Sequence, residues 1–173
     1  MFSKISIIGC GLIGSSILRA TQEKKLATKI SVYDKSNEVA EYLKKNFTAD
    51  ICSNVSETTK DADLIIISAP LSSYKEILLS IKSNLKVGSI LTDTGSAKKE
   101  VNKIVNNLGL KNISWIASHP IAGTEFSGPA AGFSGLFKNK WCILSAGNEV
   151  AKDKIEKLEK FWSKLGSKVK IMS

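Results

Sequence analysis

Three glycines near the N-terminus constrain the fold of this chain more than any other feature of its sequence. Gly9, Gly11 and Gly14 follow the apolar residues 4–8, which are predicted to form a short buried strand. Apolar positions in residues 12–25 recur at the spacing of a helix that packs on a sheet. Gly9 permits a tight turn, Gly11 lets a pyrophosphate approach the backbone, and Gly14 lets helix and strand pack closely. The chain therefore opens with a strand, a glycine turn and a helix.

A second strand and a terminal acid complete a dinucleotide-binding pattern. Residues 30–33 are predicted to form a strand that ends in Asp34, at the interval after Gly14 where a carboxylate accepts the ribose hydroxyls of an adenosine. The start of the first helix, at Leu12 and Ile13, offers free backbone N–H groups and a positive dipole end to phosphates. The predicted fold is thus of the Rossmann type.

The residue at the ribose position also indicates which cofactor is bound. A carboxylate at Asp34 repels a 2′-phosphate, so NAD is favoured over NADP. Lys35 and Ser36 follow directly, and both side chains are able to contact a phosphate, which would weaken the discrimination. The predicted cofactor is NAD.

Strands and helices alternate along the rest of the chain, as is typical of a doubly wound α/β sheet with mostly parallel strands. Further strands are predicted at residues 50–52, 64–68, 89–92, 113–117, 141–145 and 168–171. Further helices are predicted at residues 37–46, after an N-cap at Ser36, and at 73–85, 97–108 and 150–165. No repeat, linker or low-complexity segment interrupts the pattern, so residues 1–173 are expected to form a single domain.

Several strand ends are expected to meet at one edge of this sheet. The apolar run at residues 64–68 is typical of a strand buried on both faces, and it stops at Ala69 and Pro70 because proline has no N–H for a sheet ladder. Ser96 and His119 follow two later strands. In an open parallel sheet the ligand crevice lies at the carboxyl ends of the strands. We therefore expect these residues to face the crevice.

His119 is the only histidine, and it begins a loop, residues 119–137, that holds four of the twelve glycines and two of the three prolines. Taken alone, it would be a packing histidine before a flexible loop. Its place at a strand end beside a cofactor site favours an imidazole that takes part in chemistry. For Ser96 and Lys98 a purely structural interpretation stays open. Ser96 would be the N-cap of the following helix, and Lys98 would be a solvated residue of its first turn.

Four blocks of the sequence resemble the prephenate/arogenate (cyclohexadienyl) dehydrogenases of tyrosine biosynthesis. They are Gly-Cys-Gly-Leu-Ile-Gly-Ser-Ser at 9–16, Asp-Thr-Gly-Ser-Ala-Lys at 93–98, His-Pro-Ile-Ala-Gly-Thr-Glu-Phe-Ser-Gly at 119–128, and residues 136–141. The first block is shared with many NAD enzymes, whereas the third is far more specific. The resemblance covers essentially the whole chain, but only the cofactor-binding half of the family's usual length.

The resemblance implies an activity and roles for site residues. The activity is an NAD-dependent oxidative decarboxylation of prephenate to 4-hydroxyphenylpyruvate, or of arogenate to tyrosine, and the choice between the two substrates stays open. His119 would act on the ring hydroxyl of the substrate, with Ser96 as its hydrogen-bond partner. Thr124 and Glu125 match positions that border the substrate pocket.

The resemblance also implies a C-terminal helical domain. An arginine of that domain would hold a substrate carboxylate, and the domain itself would form the contacts of a homodimer. That domain would begin just after Ile171, and this chain ends at Ser173. Arg19 is not expected to substitute, because it lies on the first helix, away from the strand ends. We therefore expect this chain to fold and bind NAD but to turn substrate over poorly by itself.

Two other functions are alternatives to this dehydrogenase activity. Another NAD-dependent β-hydroxyacid dehydrogenase would need a catalytic lysine on a helix of a second domain. A dinucleotide-binding module without catalysis would need no base, and the pairing of His119 with Ser96 argues against it.

Composition also bears on the partners and the location of the protein. The net charge of +9 comes from lysines spread over several helices, with Arg19 as the only arginine, so a nucleic-acid partner is not expected. No apolar run approaches a membrane span, and the N-terminus lacks the pattern of a secretory signal. Cys10, Cys52 and Cys142 show no metal spacing and are expected to be reduced and buried in a cytoplasmic protein.

Overall fold

One eight-stranded sheet frames the protein in the computed structural model, which describes residues 2–172. Its strands are β1 (Phe2–Ile8), β2 (Ala27–Tyr33), β3 (Asp50–Ile51), β4 (Leu64–Ile67), β5 (Ile90–Asp93), β6 (Ser114–Pro120), β7 (Trp141–Ala146) and β8 (Lys168–Met172). The α-helices within the described range are α1 (Leu12–Glu23), α2 (Asn37–Asn46), α3 (Val55–Thr59), α4 (Tyr74–Ile81), α5 (Lys98–Leu108) and α6 (Lys152–Leu165). None of these helices has the length and apolarity needed to cross a membrane.

The strand order is β3-β2-β1-β4-β5-β6-β7-β8, with parallel pairing from β3 through β6. This order confirms the predicted doubly wound, mostly parallel sheet. β7 runs antiparallel to β6 and parallel to β8. The long loop at residues 121–140 joins β6 to β7 without an α-helix, so the chain returns along the neighbouring position in the opposite direction.

The sheet is buried on both faces, as the apolar run in β4 predicted. Leu64 and Ile66 lie in the cluster that includes α1 and α6, whereas Ile65 and Ile67 lie in the cluster that includes α4 and α5. Successive side chains of a strand point to opposite faces, so a strand covered on both sides must be apolar at every position.

The glycine turn forms as predicted, through close backbone approach. Gly9 has a φ of +89°, and a Cβ there would lie 2.7 Å from the backbone of Ser68. A Cβ on Gly14 would collide with the carbonyl oxygen of Gly9. These two glycines let α1 and the end of β4 pack directly against the turn.

The loop at residues 121–140 is docked on α1 rather than free, contrary to the flexible loop considered from the sequence. The N–H of Phe133 donates to Ser16 Oγ at 3.1 Å. Arg19 donates to the Pro129 carbonyl at 3.4 Å, and its guanidinium stacks 4.7 Å from the centroid of the Phe47 ring. The single arginine therefore fastens the loop to the first helix, as its predicted position away from the strand ends allows.

Some predicted boundaries were wrong. β6 continues through His119 and Pro120, because β7 pairs with it there, so the histidine lies within the strand rather than after it. α4 ends at Ile81 instead of residue 85, where a polar turn follows. Helix α3 was not predicted, although Asn54 caps it by accepting the N–H of Glu57 at 2.8 Å.

Two further sequence-based interpretations need correction. The N-cap of α5 is Ala97, without a side-chain hydrogen bond, so Ser96 does not cap this helix. Cys10 and Cys142 are buried as expected, but Cys52 is partly exposed, because it follows the short edge strand β3. All three cysteines are free.

We predict that Leu158→Ala lowers the free energy of unfolding by about 2–5 kcal/mol, because Leu158 on α6 is fully buried and its truncation leaves a cavity. Urea denaturation measures the change. The matched control is Leu79→Ala on α4, where the side chain is 53% exposed and a change within about 0.5 kcal/mol is expected. Equal effects of the two substitutions would contradict the placement of Leu158 in the core.

Candidate functional site

A cleft of about 740 Å³ opens at the carboxyl edge of β1, β4, β5 and β6. The cleft has the size and the position of a ligand crevice in an open α/β sheet. The predicted site residues that line it are Gly9, Gly11, Leu12, Ile13, Asp34, Ala69, Pro70, Ser96 and His119. Residues more than 100 positions apart in the sequence thus share one surface.

The glycine turn and the start of α1 fit a pyrophosphate. Gly11 is the N-cap of α1 and makes no side-chain cap, and the first turn contains no acidic residue. Open space surrounds the position where a Cβ of Gly11 would stand. The first N–H groups of a helix have no intrahelical partner, and the helix dipole adds positive potential there. These residues could therefore hold the phosphates of a dinucleotide.

Asp34 lies at the end of β2 and faces the same cleft. Its Oδ2 accepts the N–H of Cys10 at 2.7 Å, and its Oδ1 accepts the N–H of Ser36 at 2.9 Å. The carboxylate thus also holds the glycine turn in shape. A carboxylate oxygen can accept more than one hydrogen bond, so both oxygens of Asp34 keep capacity for ribose hydroxyls. The Ser36 hydroxyl is engaged as the cap of α2, where it accepts the N–H of Val39 at 3.3 Å.

Asp93, a fully buried carboxylate beside the cleft, was not predicted as a site residue from the sequence. Asp93 is the last residue of β5, and its side chain is 0% exposed. Lys98 lies 2.6 Å from both carboxylate oxygens, and its own side chain is only 23% exposed. Lys98 is therefore not a solvated residue. An aspartate that ends an apolar strand, with a lysine five residues later, was the available signal, because a buried carboxylate requires a partner.

Burial and this ion pair shift the protonation equilibria around the cleft. Burial raises the pKa of Asp93 and lowers the pKa of Lys98, and in each case the partner's charge opposes the shift. Burial also lowers the pKa of His119, and the positive charge of Lys98 lowers it further, while Asp93 acts in the opposite direction. The imidazole of His119 is thus neutral at pH 7, the form that accepts a proton.

Three predicted site residues lie outside the lining of the cleft. Gly14 packs beneath the turn, against Gly9. Thr124 and Glu125 are exposed on the loop that follows β6, where Thr124 Oγ1 accepts the N–H of Phe126 at 3.2 Å. The structure therefore separates these two loop residues from the cleft, and their assignment to a substrate pocket stays a prediction.

The cleft also contains hydroxyl groups that the sequence analysis did not single out. Ser68 follows β4 and Thr94 follows β5, and the Thr94 hydroxyl donates to Ser68 Oγ at 3.1 Å. Both lie among the lining residues that connect the glycine turn with Ser96. Polar groups thus line the cleft between the glycine turn and Ser96.

The geometry combines two capacities. One end of the cleft offers unpaired helix N–H groups and a carboxylate for a dinucleotide. The other end contains His119, whose pKa is lowered by burial and by Lys98, and the exposed Ser96 lines the same cleft. A base next to a nucleotide site is the arrangement that an oxidoreductase needs for removal of a proton and a hydride from one substrate carbinol.

Comparison with known proteins gives a family match over most of the chain. Residues 17–171 match the family model described as "Prephenate dehydrogenase, nucleotide-binding domain". The matched range includes the segments that carry Ser96 and His119, whereas the glycine turn precedes it. The cyclohexadienyl dehydrogenase of Zymomonas mobilis is 33% identical over 174 aligned positions, which cover 100% of this chain and 59% of that protein.

Two further proteins agree with this match. The prephenate dehydrogenase of Lactococcus lactis is 34% identical over 158 residues, covering 90% of this chain and 44% of that protein. A crystal structure of prephenate dehydrogenase from A. aeolicus, in complex with hydroxyphenyl propionate and NAD+, superposes with a TM-score of 0.86 at 26% identity. That alignment covers 100% of this chain and 60% of the crystallised one. The chain thus spans 44–60% of the length of these three relatives.

We predict that the pKa of His119 lies below the ordinary value for histidine, and that Lys98→Met raises it, because the substitution removes a nearby positive charge. The imidazole signals of the only histidine can be followed by NMR as a function of pH in the untagged chain. Lys99→Met is the matched control, since Lys99 is the exposed next residue and should leave the titration unchanged. A His119 titration at or above the ordinary value would contradict the inferred environment.

Proposed function

Because the chain belongs to the prephenate dehydrogenase family, we propose that it is the nucleotide-binding domain of an NAD-dependent dehydrogenase that oxidatively decarboxylates prephenate or arogenate. The product would be 4-hydroxyphenylpyruvate from prephenate and tyrosine from arogenate. The observation that carries the proposal is the position of His119 in the same cleft as the glycine turn, and the lowered pKa of the imidazole agrees with a role as proton acceptor.

The residues of the cleft suit the cofactor half of this reaction. The open space at Gly11 and the uncapped start of α1 would receive the pyrophosphate, with Leu12 and Ile13 as N–H donors. Asp34 would accept the adenosine ribose hydroxyls. Ala69 and Pro70 would border the bound dinucleotide at the end of β4. NAD, when bound, supplies the hydride acceptor.

His119 would act as the base. The substrate carries a hydroxyl on a ring carbon, and the imidazole would accept the hydroxyl proton as that carbon loses a hydride and becomes a carbonyl. Loss of carbon dioxide from the carbon para to this carbonyl then leaves an aromatic ring. Ser96, at the rim of the cleft, would hydrogen-bond near the reacting hydroxyl and orient it. Thr124 and Glu125 would border the substrate from the loop.

The proposal extends to the whole protein. The relatives are longer than this chain, and the resemblance implies that a helical domain supplies a substrate-binding arginine and the contacts of a homodimer. We propose the same for the complete gene product, with residues 1–173 as its nucleotide-binding domain. The three free cysteines suit the proposed cytoplasmic location, where thiols are kept reduced.

The first prediction from this proposal concerns the cofactor. We expect NAD to bind at least about tenfold more tightly than NADP, about 1.4 kcal/mol, because the Asp34 carboxylate repels a 2′-phosphate. Asp34→Ser should erode the preference and weaken NAD binding, since Asp34 also holds the N–H of Cys10. Calorimetry on this chain measures both constants. Asp34→Asn separates charge from shape, and equal affinity for the two cofactors in the unmodified chain would refute the assignment.

The second prediction concerns the base. In the complete gene product, His119→Ala should lower kcat for prephenate or arogenate by about 10²–10⁴ and leave NAD affinity nearly unchanged. Ser96→Ala should cost less, because a hydrogen-bond partner orients the substrate but does not take its proton. NADH formation at saturating NAD measures both variants. Near-normal turnover by His119→Ala would contradict the role given to the imidazole, and no NADH with either substrate would exclude the proposed activity.

A further inference from the structure

The Asp93 carboxylate, at the end of β5, accepts hydrogen bonds from four residues. Oδ1 accepts the N–H of Ser118 at 3.2 Å, and Oδ2 accepts the N–H of Gly95 at 3.1 Å and the hydroxyl of Tyr74 at 3.3 Å. Lys98 lies 2.6 Å from both oxygens. A buried carboxylate with this many donors is fixed in place, because each lost partner would leave a buried charge unsatisfied.

Two of these donors belong to the residues that directly precede the proposed reactive groups. Ser118 precedes His119 in β6, and Gly95 precedes Ser96 in the turn after β5. The two oxygens of one carboxylate therefore hold both backbone segments, one bond each. The span between them is set by the width of a single carboxylate group.

The sheet ladder does not set this span. The paired register of β5 and β6 ends at Leu91 and Trp115, and β6 from Ile116 onward pairs with β7 instead. Beyond that point, hydrogen bonds of side chains connect β5 with β6. Besides the Asp93 bond, the Thr92 and Ser118 hydroxyls share a hydrogen bond at 2.5 Å.

The Ser118 hydroxyl has a second hydrogen-bond partner, on α6. The indole N–H of Trp162 on α6 donates to Ser118 Oγ at 3.2 Å, and both residues are buried. The residue before His119 is thus bound through its backbone N–H and its side chain, from β5 and from α6. Such over-determined placement is typical of residues that support a reactive group.

We propose that Asp93 is a positioning residue, whose carboxylate sets the spacing between the segments that present Ser96 and His119. The effect on turnover rests on the proposed function, whereas the effect on the two backbone segments does not. Lys98 neutralises the carboxylate and is held by it on the side of the cleft where its charge acts on His119. Asp93 itself touches no reacting atom in this proposal.

The experiment compares Asp93→Asn with Asp63→Asn. Asp63 is a matched control, since it accepts the N–H groups of Ser3 and Lys4 at 2.7 and 3.2 Å and pairs with Lys86 at 2.6 Å, away from the cleft. Asp93→Asn keeps the shape of the side chain but replaces one acceptor oxygen by a donor.

In this chain, NMR should show two local effects of Asp93→Asn. The imidazole signals of His119 should shift and broaden or split. Amide hydrogen exchange at Gly95 and Ser118 should accelerate by about tenfold or more beyond the change in global stability, because the bonds to the carboxylate are lost. Asp63→Asn should leave both readouts within about twofold of the unmodified chain after the same correction.

In the complete gene product, kcat of Asp93→Asn should fall by about tenfold or more while the Kd for NAD stays within about twofold. If Asp93→Asn does not fold, the same NMR measurements are made on the double variant Asp93→Asn/Lys98→Met. The second substitution removes the ammonium group that would otherwise lose its partner. Histidine signals and amide exchange that match those of Asp63→Asn would overturn the proposal. Absence of turnover in the unmodified protein would overturn the proposed function alone, and the NMR comparison would still decide the role of Asp93.

Discussion

The close approach of the Gly9 turn to the end of β4 is the constraint on which the rest of the structure depends. A Cβ on Gly9 would lie 2.7 Å from the Ser68 backbone, so the neighbouring strands β1 and β4 can end side by side only with glycine there. Gly14 then allows α1 to pack on the turn. Together these contacts direct the free N–H groups of α1 into the cleft between β1 and β4. The same packing thus also forms the end of the cleft that contains the glycine turn.

The opposite end of the cleft depends on polar contacts in place of close backbone packing. Where β6 leaves β5 to pair with β7, the gap is bridged by Asp93 and by the hydroxyls of Thr92 and Ser118. A buried carboxylate is costly unless every oxygen is satisfied, and the lysine and backbone donors meet that demand. The resulting network holds the backbone next to His119 more tightly than apolar packing would, because hydrogen bonds are directional.

The two ends of the cleft differ in their electrostatics. Around His119, burial and the charge of Lys98 disfavour the imidazolium, so the ring stays neutral while an ammonium group remains close. Around the glycine turn, the helix dipole favours an anion. The loop that follows β6 is held against α1 by Arg19 and Ser16. Fold, charge and loop therefore agree with the family to which the chain belongs.

Local sequence determined the parts of this protein that depend on neighbouring residues. The glycine turn, the alternation of strands and helices, the buried β4 and the placement of Asp34 and His119 at one edge were all predictable, because periodicity and glycine geometry act over a few positions. Tertiary structure alone decided the extension of β6 through His119, since that required β7, which pairs with it from across a 20-residue loop. It also decided that Thr124 and Glu125 lie outside the cleft lining and that Tyr74 and Ser118 donate hydrogen bonds to Asp93. The partners that lie far apart in the sequence, and hence their effect on a pKa, are brought together only by folding, so local spacing does not disclose them.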